Sequence, residues 1–314
     1  MKKSSTIFLT GLSLLFLFSF TSTKAQDFAA GVNSPILFIE AEPPANIKAP
    51  ITLENQSDQT INYDIYLRPF KANSYGNGVP NYDPELKSEY ESFFENVQVR
   101  VDGQDATKVS LGPKQSKELE LNIRINDDTP PIDRYFTVVF LASENQEEAN
   151  TSTTGTRGGI GTNILLSVGP KDDPEGRIAK LSVPKFITRG PVPIELEIAN
   201  HNDYYVVSEG NLVIKNIFGH AVGSLEFGPL SILRQSNRTV DDETSSNNRL
   251  YWNEKYPIGI YKVSANVALS EKGPLLSRET TFIAFPIDIV LAGLLIILVI
   301  LWLIRLALKK KVSD

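Results

Sequence analysis

The sequence predicts an all-β protein of two tandem immunoglobulin-like β-sandwiches, with a short helix inserted in the first and one apolar helix at the C-terminus. Three observations carry this prediction. Short alternating runs such as ITLENQ, INYDIYL, ELELNIRI and IELEIAN recur between clusters of Gly, Pro, Asn and Asp. Alternation of period two, rich in β-branched and aromatic residues, marks strands with one buried face, and many of them at roughly 8–12-residue spacing mark a sandwich. The second half of the chain also repeats motifs of the first in the same order. Finally, 314 residues with 41% hydrophobic content allow about two cores, and a chain with no cysteine has no disulfides to replace them.

The elements follow in chain order. Residues 1–25 read as a signal peptide: Lys2 and Lys3 form a basic start, Ile7–Phe20 an apolar stretch too short to span a bilayer comfortably, and Thr23 and Ala25 the small residues before a cut after Ala25. The first sandwich is expected over 26–170 and the second over 177–285, joined by a linker at 171–176. The segment GPKDDPEGR around that linker has two prolines and no large apolar residue.

Three blocks relate the halves. LENQSD at Leu53–Asp58 matches IANHND at Ile198–Asp203 with an offset of 145, and KQSKEL at Lys114–Leu119 matches RQSNRT at Arg234–Thr239 with an offset of 120. PPIDRYFTV at Pro130–Val138 matches YPIGIYKVS at Tyr256–Ser264 with an offset of 126. Each half thus carries an N-x-x-D turn after an early strand, a polar turn with Q-S, and a tyrosine, Tyr135 or Tyr261, that opens a strand after a proline turn, as in the tyrosine corner of immunoglobulin-like sandwiches. The falling offset places an insertion at 71–96, where Leu86, Tyr90, Phe93, Phe94 and Val97 stand at helical spacing and predict a helix over Pro84–Asn96. The rise to 126 predicts a longer polar loop at Asp241–Asn248.

Candidate chemistry is sparse. His201 aligns with Gln56 in the N-x-x-D turn, where an Asx-type hydrogen bond to the local backbone is the common task, and His220 lies between Gly219 and Gly223 in a predicted hairpin. Two histidines without cysteine fall short of a zinc ligand set, so no catalytic, cofactor or metal residue is assigned. GTRGGIG at Gly155–Gly161 lies between two strands and reads as a hairpin loop. Asp172, Asp173 and Glu175 lack the spacing of a calcium loop and read as solvated linker charges. The insertion offers Tyr75, Tyr82 and Tyr90 as candidate partner-binding residues, because exposed tyrosines on a rigid loop suit a glycan or protein partner.

Residues 287–308 form the candidate transmembrane helix: no charge occurs from Ile289 to Ile304, and Lys309, Lys310 and Lys311 supply a stop-transfer flank before a cytoplasmic tail at 309–314. The part between the two apolar ends carries 24 basic and 36 acidic residues, near −12, a balance that repels nucleic acid and anionic lipid.

The early motif NSPILFIEAEPP, the pair around ITLENQSDQTINYDIYL, the loop YGNGVPNYDP, the later KNIFGHAV and RLYW, and the lysine-stopped apolar end together resemble the WxL-interacting surface proteins of Gram-positive bacteria. That resemblance implies two immunoglobulin-like domains outside the plasma membrane on a single-pass anchor. It also implies association of the first domain with peptidoglycan and of the second with a partner protein. The expectation is a non-catalytic, membrane-anchored protein that binds or scaffolds cell-wall components or other surface proteins. The alternatives are an accessory subunit of a membrane or envelope complex and, third, a carboxylate-based envelope hydrolase.

Overall fold

The computed structural model describes residues 29–143, 158–241, 249–270 and 273–312, with side chains as far as Arg305. The signal segment with its cut at Ala25, residues 155–157 of the glycine-rich loop, 242–248 of the polar loop and the side chains of Lys309–Lys311 lie outside the described residues.

The first sandwich contains β1 (Ala30–Val32), β2 (Ile36–Ala41), β3 (Ala45–Asn55), β4 (Ile61–Pro69), α1 (Leu86–Phe94), β5 (Val97–Val101), β6 (Gln104–Asp105), β7 (Lys108–Leu111), β8 (Ser116–Ile125), β9 (Arg134–Ala142) and β10 (Gly159–Val168). One sheet runs β1-β3-β8-β5-β6 and the other β2-β10-β9-β4-β7. Strand alternation decides which side chains enter the core. Leu119, Leu121, Ile123 and Ile125 of β8 and Ile51 and Leu53 of β3 point inward from one sheet. Phe136, Val138 and Phe140 of β9 with Ile164 and Leu166 of β10 meet them from the other. Each such fully buried Leu, Ile or Phe contributes about 1.5–3 kcal/mol. Of GTRGGIG, Gly159 and Gly161 are strand residues of β10. The alanine methyl that Gly161 lacks would sit 2.7 Å from the Thr137 side chain on β9, so only glycine permits that close pairing.

Helix α1 forms where expected but is shorter at both ends than Pro84–Asn96. The Glu85 amide donates to Asp83 Oδ1 at 3.0 Å just before it starts. Tyr90 and Phe93 are buried, and the Phe93 and Phe94 rings lie 5.9 and 5.5 Å from Phe136 of the facing sheet. The helix therefore adds its apolar stripe to the sandwich core.

The second sandwich contains β11 (Gly176–Ser182), β12 (Phe186–Ile187), β13 (Val192–Asn200), β14 (Val206–Asn216), β15 (Ala221–Ile232), β16 (Asn237–Val240), β17 (Leu250–Trp252), β18 (Gly259–Ala268) and β19 (Leu275–Ala284). One sheet runs β11-β13-β16, with β17 also on β13, and the other β12-β19-β18-β14-β15. Both sandwiches begin in the same way. β1 and β11 pair antiparallel with β3 and β13, and the chain then crosses to the other sheet, where β2 and β12 pair parallel with β10 and β19.

The repeat holds at atomic detail. Asn55 Nδ2 donates to the carbonyls of Gln59, Leu111 and Gly112, and Asn200 Nδ2 donates to those of Tyr204, Ile232 and Leu233. The two asparagines, each 1% exposed, tie one turn to the next strand connection in each domain. These bonds also correct the register of the middle block. Leu111 corresponds to Ile232, and Lys114 to Gln235. Both of the latter have positive φ, 55° and 48°, and donate their amides to the equivalent carbonyls of Ser57 and Asn202. The offset there is 121 rather than 120. The shared letters Q-S lie one residue out of phase with the structural match, because side-chain identity matters less in this turn than backbone conformation.

After Pro286 the chain enters α2 (Ile287–Val312), whose Ile287–Arg305 stretch of 19 residues has mean hydropathy 3.1 and is not buried against either sandwich, with Asp288 of its first turn paired to Arg189. At 1.5 Å per residue it is about 28 Å long, close to the roughly 30 Å of a hydrocarbon core.

Candidate binding surface at the domain junction

The linker between β10 and β11 is held down, in contrast to the solvated tether that its composition suggests. Glu175 donates its amide to Asn202 Oδ1 at 2.9 Å and accepts from Asn202 Nδ2 at 2.8 Å and from the His201 amide at 3.1 Å. Tyr204 donates its hydroxyl to the Asp172 carbonyl. Lys171 pairs with Glu40 at 2.6 Å and lies 4.6 Å over the Tyr205 ring. His201 is exposed, and its backbone serves the linker turn. His220 is exposed in the β14–β15 hairpin, where its amide donates to Asn216 Oδ1. Among the described residues no group of three or more His, Asp or Glu is placed to hold a metal ion.

Beneath the linker the two domains share a small aromatic core. Phe70, Tyr135 and Leu165 of the first meet Tyr205 of the second, each 3 or 4% exposed. Tyr135 stacks on Phe70 with ring centroids 6.1 Å apart and meets Tyr205 edge-on at 6.5 Å. Asp133 organises the polar side of this core. Its Oδ2 accepts the Tyr135 hydroxyl at 2.8 Å and the Tyr205 amide at 2.6 Å, and its Oδ1 accepts the Ser167 hydroxyl at 2.8 Å. The Tyr135 hydroxyl in turn accepts the Arg234 amide at 3.2 Å. Burial lifts the Asp133 carboxyl above the usual carboxylate range against the opposing pull of its three donors, and burial also drives the Tyr135 and Tyr205 phenols up, so both stay protonated. Tyr261, the repeat counterpart of Tyr135, instead bonds the amide and carbonyl of Ile258, both at 3.0 Å. One copy of the motif closes a corner within its own domain. The other has become a joint between domains.

The insertion closes the joint from outside. Asn73 and Asn77 fold its first turn by accepting the amides of Tyr75 and Val79, and Thr239 of β16 donates its amide to the Gly76 carbonyl at 2.8 Å. Gly76 and Gly78 have φ of 64° and 75°. A Cβ on Gly78 would lie 1.6 Å from Nη1 of Arg238, whose guanidinium fills that space. Both glycines are thus required by backbone conformation and by the neighbouring domain.

This placement separates the three candidate tyrosines. Tyr90 is 3% exposed and its hydroxyl accepts the Tyr135 amide at 2.9 Å, so it is a core residue of α1 and no partner can reach it. Tyr82 is half-buried, donating to or accepting from Thr137 Oγ1 at 2.9 Å with the Arg68 guanidinium 4.8 Å above its ring. Only Tyr75 stands out, 80% exposed, at the rim of an open cleft lined by Lys71, Leu86, Glu195, Glu197 and Asn237. In that cleft Glu195 pairs with Lys180 at 2.7 Å and Glu197 accepts the Asn237 amide at 2.7 Å.

No family model matches the sequence, and no curated protein matches it. Among solved structures the chain is similar to the class 5 fimbriae chaperone CfaA, with 14% identity over 80% of this chain and 99% of that one at a TM-score of 0.38. It is similar to the E. coli chaperone DraB, with 13% identity over 82% and 98% at 0.36. A Salmonella enterica SafA pilin–SafB chaperone complex gives 10% identity over 81% and 97% at 0.39. The assignment of two sandwiches rests on the strand order above.

Proposed function

We propose that the protein is a non-catalytic, membrane-anchored bacterial surface protein that binds another surface protein at the junction of its two sandwiches, with Tyr75 as anchor. The observation that carries this reading is the one aromatic side chain left outside a clasp that buries its neighbours. Tyr75 is fixed by the Asn73 turn on one side and by the Gly76–Thr239 bond on the other, yet remains 80% exposed. A rigid aromatic with few rotatable bonds loses little entropy on binding, the property that makes tyrosine a frequent interface anchor. The apolar, unpacked α2 supports a single-pass anchor in the plasma membrane, with both sandwiches outside and Lys309–Lys311 on the cytoplasmic flank. Kinship with WxL-interacting proteins belongs to the same proposal, and with it a second reading in which the cleft beside Tyr75 takes a peptidoglycan glycan, for which Glu197 and Asn237 supply polar groups.

The test places a photo-crosslinking phenylalanine analogue at position 75 of the full chain in the bacterial envelope, with position 66, also exposed, as reference. A discrete protein adduct at 75 and none at 66 is expected, and adducts to muropeptides would favour the glycan reading. Equal yields at both positions, or none at 75, would remove the junction from consideration. Tyr75→Ala should weaken the captured partner by about 2 kcal/mol.

A further inference from the structure

The large apolar side chains left exposed on the two sandwiches are unevenly placed. In β12, β19 and β18 the register puts Phe186 opposite Ile283 and Ile283 opposite Ile260, a row of half-exposed side chains across the outer face of the sheet. The β14–β15 hairpin that closes the same end carries Ile217 and Phe218, 65% and 80% exposed, and the loop before β18 adds Ile258 at 65%. This is the end from which α2 departs: β19 stops at Ala284, the Phe285 amide donates to the Ile187 carbonyl, and Arg189 pairs with Asp288 in the first turn of the helix. The domain junction lies at the opposite end of the sandwich, with Asn200, Tyr205 and Leu233.

Charge points the same way. On a molecule whose exposed portion is strongly acidic, this end carries, among the described residues, Lys185, Lys215 and Lys255 besides Arg189, with Glu254, the paired Asp288, and Glu279, which pairs with Lys262 and faces Lys215. Lys255 and Arg189 lie 5.3 and 5.9 Å from the ring centroid of exposed Tyr256. Apolar side chains at a tip, an aromatic ring among cations and lysines near the same end match the layered chemistry of a bilayer surface, in which anionic headgroups overlie the acyl boundary.

From this we infer that the α2-proximal end of the second sandwich is a lipid-contacting surface, with the Ile217–Phe218 hairpin and the Phe186–Ile283–Ile260 row set against the bilayer and the lysines on phospholipid headgroups. The inference rests on the reading of α2 as a membrane span, because continuity with that span brings this end to the membrane. A sandwich seated in this way would be held at a fixed tilt, with its junction surface turned outward.

The absence of cysteine makes the test direct. Full chains carrying single replacements Phe218→Cys, Ile260→Cys, Tyr66→Cys or Leu295→Cys are labelled with an environment-sensitive dye. They are then reconstituted into vesicles of phosphatidylethanolamine and phosphatidylglycerol with or without acyl-chain spin labels. The expected result is quenching and a blue shift at 218 and 260, as at 295, with none at 66. Quenching at 295 without quenching at 218 or 260 overturns the surface while leaving the anchor in place. No quenching at 295, 218 or 260 removes the anchor and the surface together, whereas quenching at 218 without 295 keeps the surface and removes the span. A blue shift at 218 unaffected by the spin labels would mean that a protein neighbour covers this end, and would also overturn the lipid assignment.

Discussion

Asp133 receives three hydrogen bonds from both domains in a place where water cannot replace them. Asp133→Ala leaves the Tyr135 hydroxyl, the Ser167 hydroxyl and the Tyr205 amide without an acceptor, a loss of about 2–4 kcal/mol in stability measurable from the denaturant midpoint. Asp133→Asn should be far milder, since Ser167 can rotate to accept from the new amide while its oxygen keeps the other two donors. The pair also reads out a proton. Burial raises this carboxyl above its unfolded value of 3.8, so the folded state holds the proton more tightly than the unfolded chain. The contribution is fully present below 3.8 and is lost as pH rises through the raised folded value. Wild type should therefore lose stability relative to Asp133→Asn across that window, and parallel curves would contradict the assignment. Nothing near Asp133 in the sequence announces this role. The proline turn and Tyr135 beside it were legible as a corner, but the second copy, Tyr261, does close a corner, and only the contact with Tyr205 distinguishes them.

At the scale of elements, the insertion is a clasp whose two glycines face β16. Gly78→Ala combines left-handed backbone strain, about 1–2 kcal/mol, with a collision against the Arg238 guanidinium. The expected result is faster hydrogen exchange of the Thr239 amide, the group that bonds Gly76, with the strands of either core unaffected. Unchanged exchange at Thr239 would show that the clasp does not depend on this turn. Strands were the legible part of the sequence, because alternation reports directly on which face is buried, as in ELELNIRI and IELEIAN. Helix α1 was legible from its stripe of Leu86, Tyr90, Phe93 and Phe94. The sides of its tyrosines were not. A stripe of rings has the same spacing whether it covers a core or meets a partner, and Tyr90 proved to lie in the core while Tyr75, in a turn without periodicity, stands exposed. The docking of Gly76 and Gly78 was invisible for a simpler reason: their partners, Asn237 to Thr239, lie about 160 residues away in the chain.

For the whole molecule, the hub at Asp133, the pinned linker and the Gly76–Thr239 clasp join the two sandwiches, and the account holds that they move as one unit, which in the proposed function α2 anchors. A duplicated fold with a flexible tether would present two independent surfaces. A locked pair presents one surface at the joint, with a constant distance between the outer ends. That rigidity is the central claim, and a distance measured between labels on the two sandwiches tests it most directly. Gln98→Cys on β5 and Glu226→Cys on β15 are exposed, and no native cysteine competes for the spin labels. In the full chain reconstituted in bilayers, the account predicts a single narrow distance distribution that broadens when Asp133→Ala is added. A broad distribution in the otherwise native chain, or one that Asp133→Ala leaves unchanged, would contradict it.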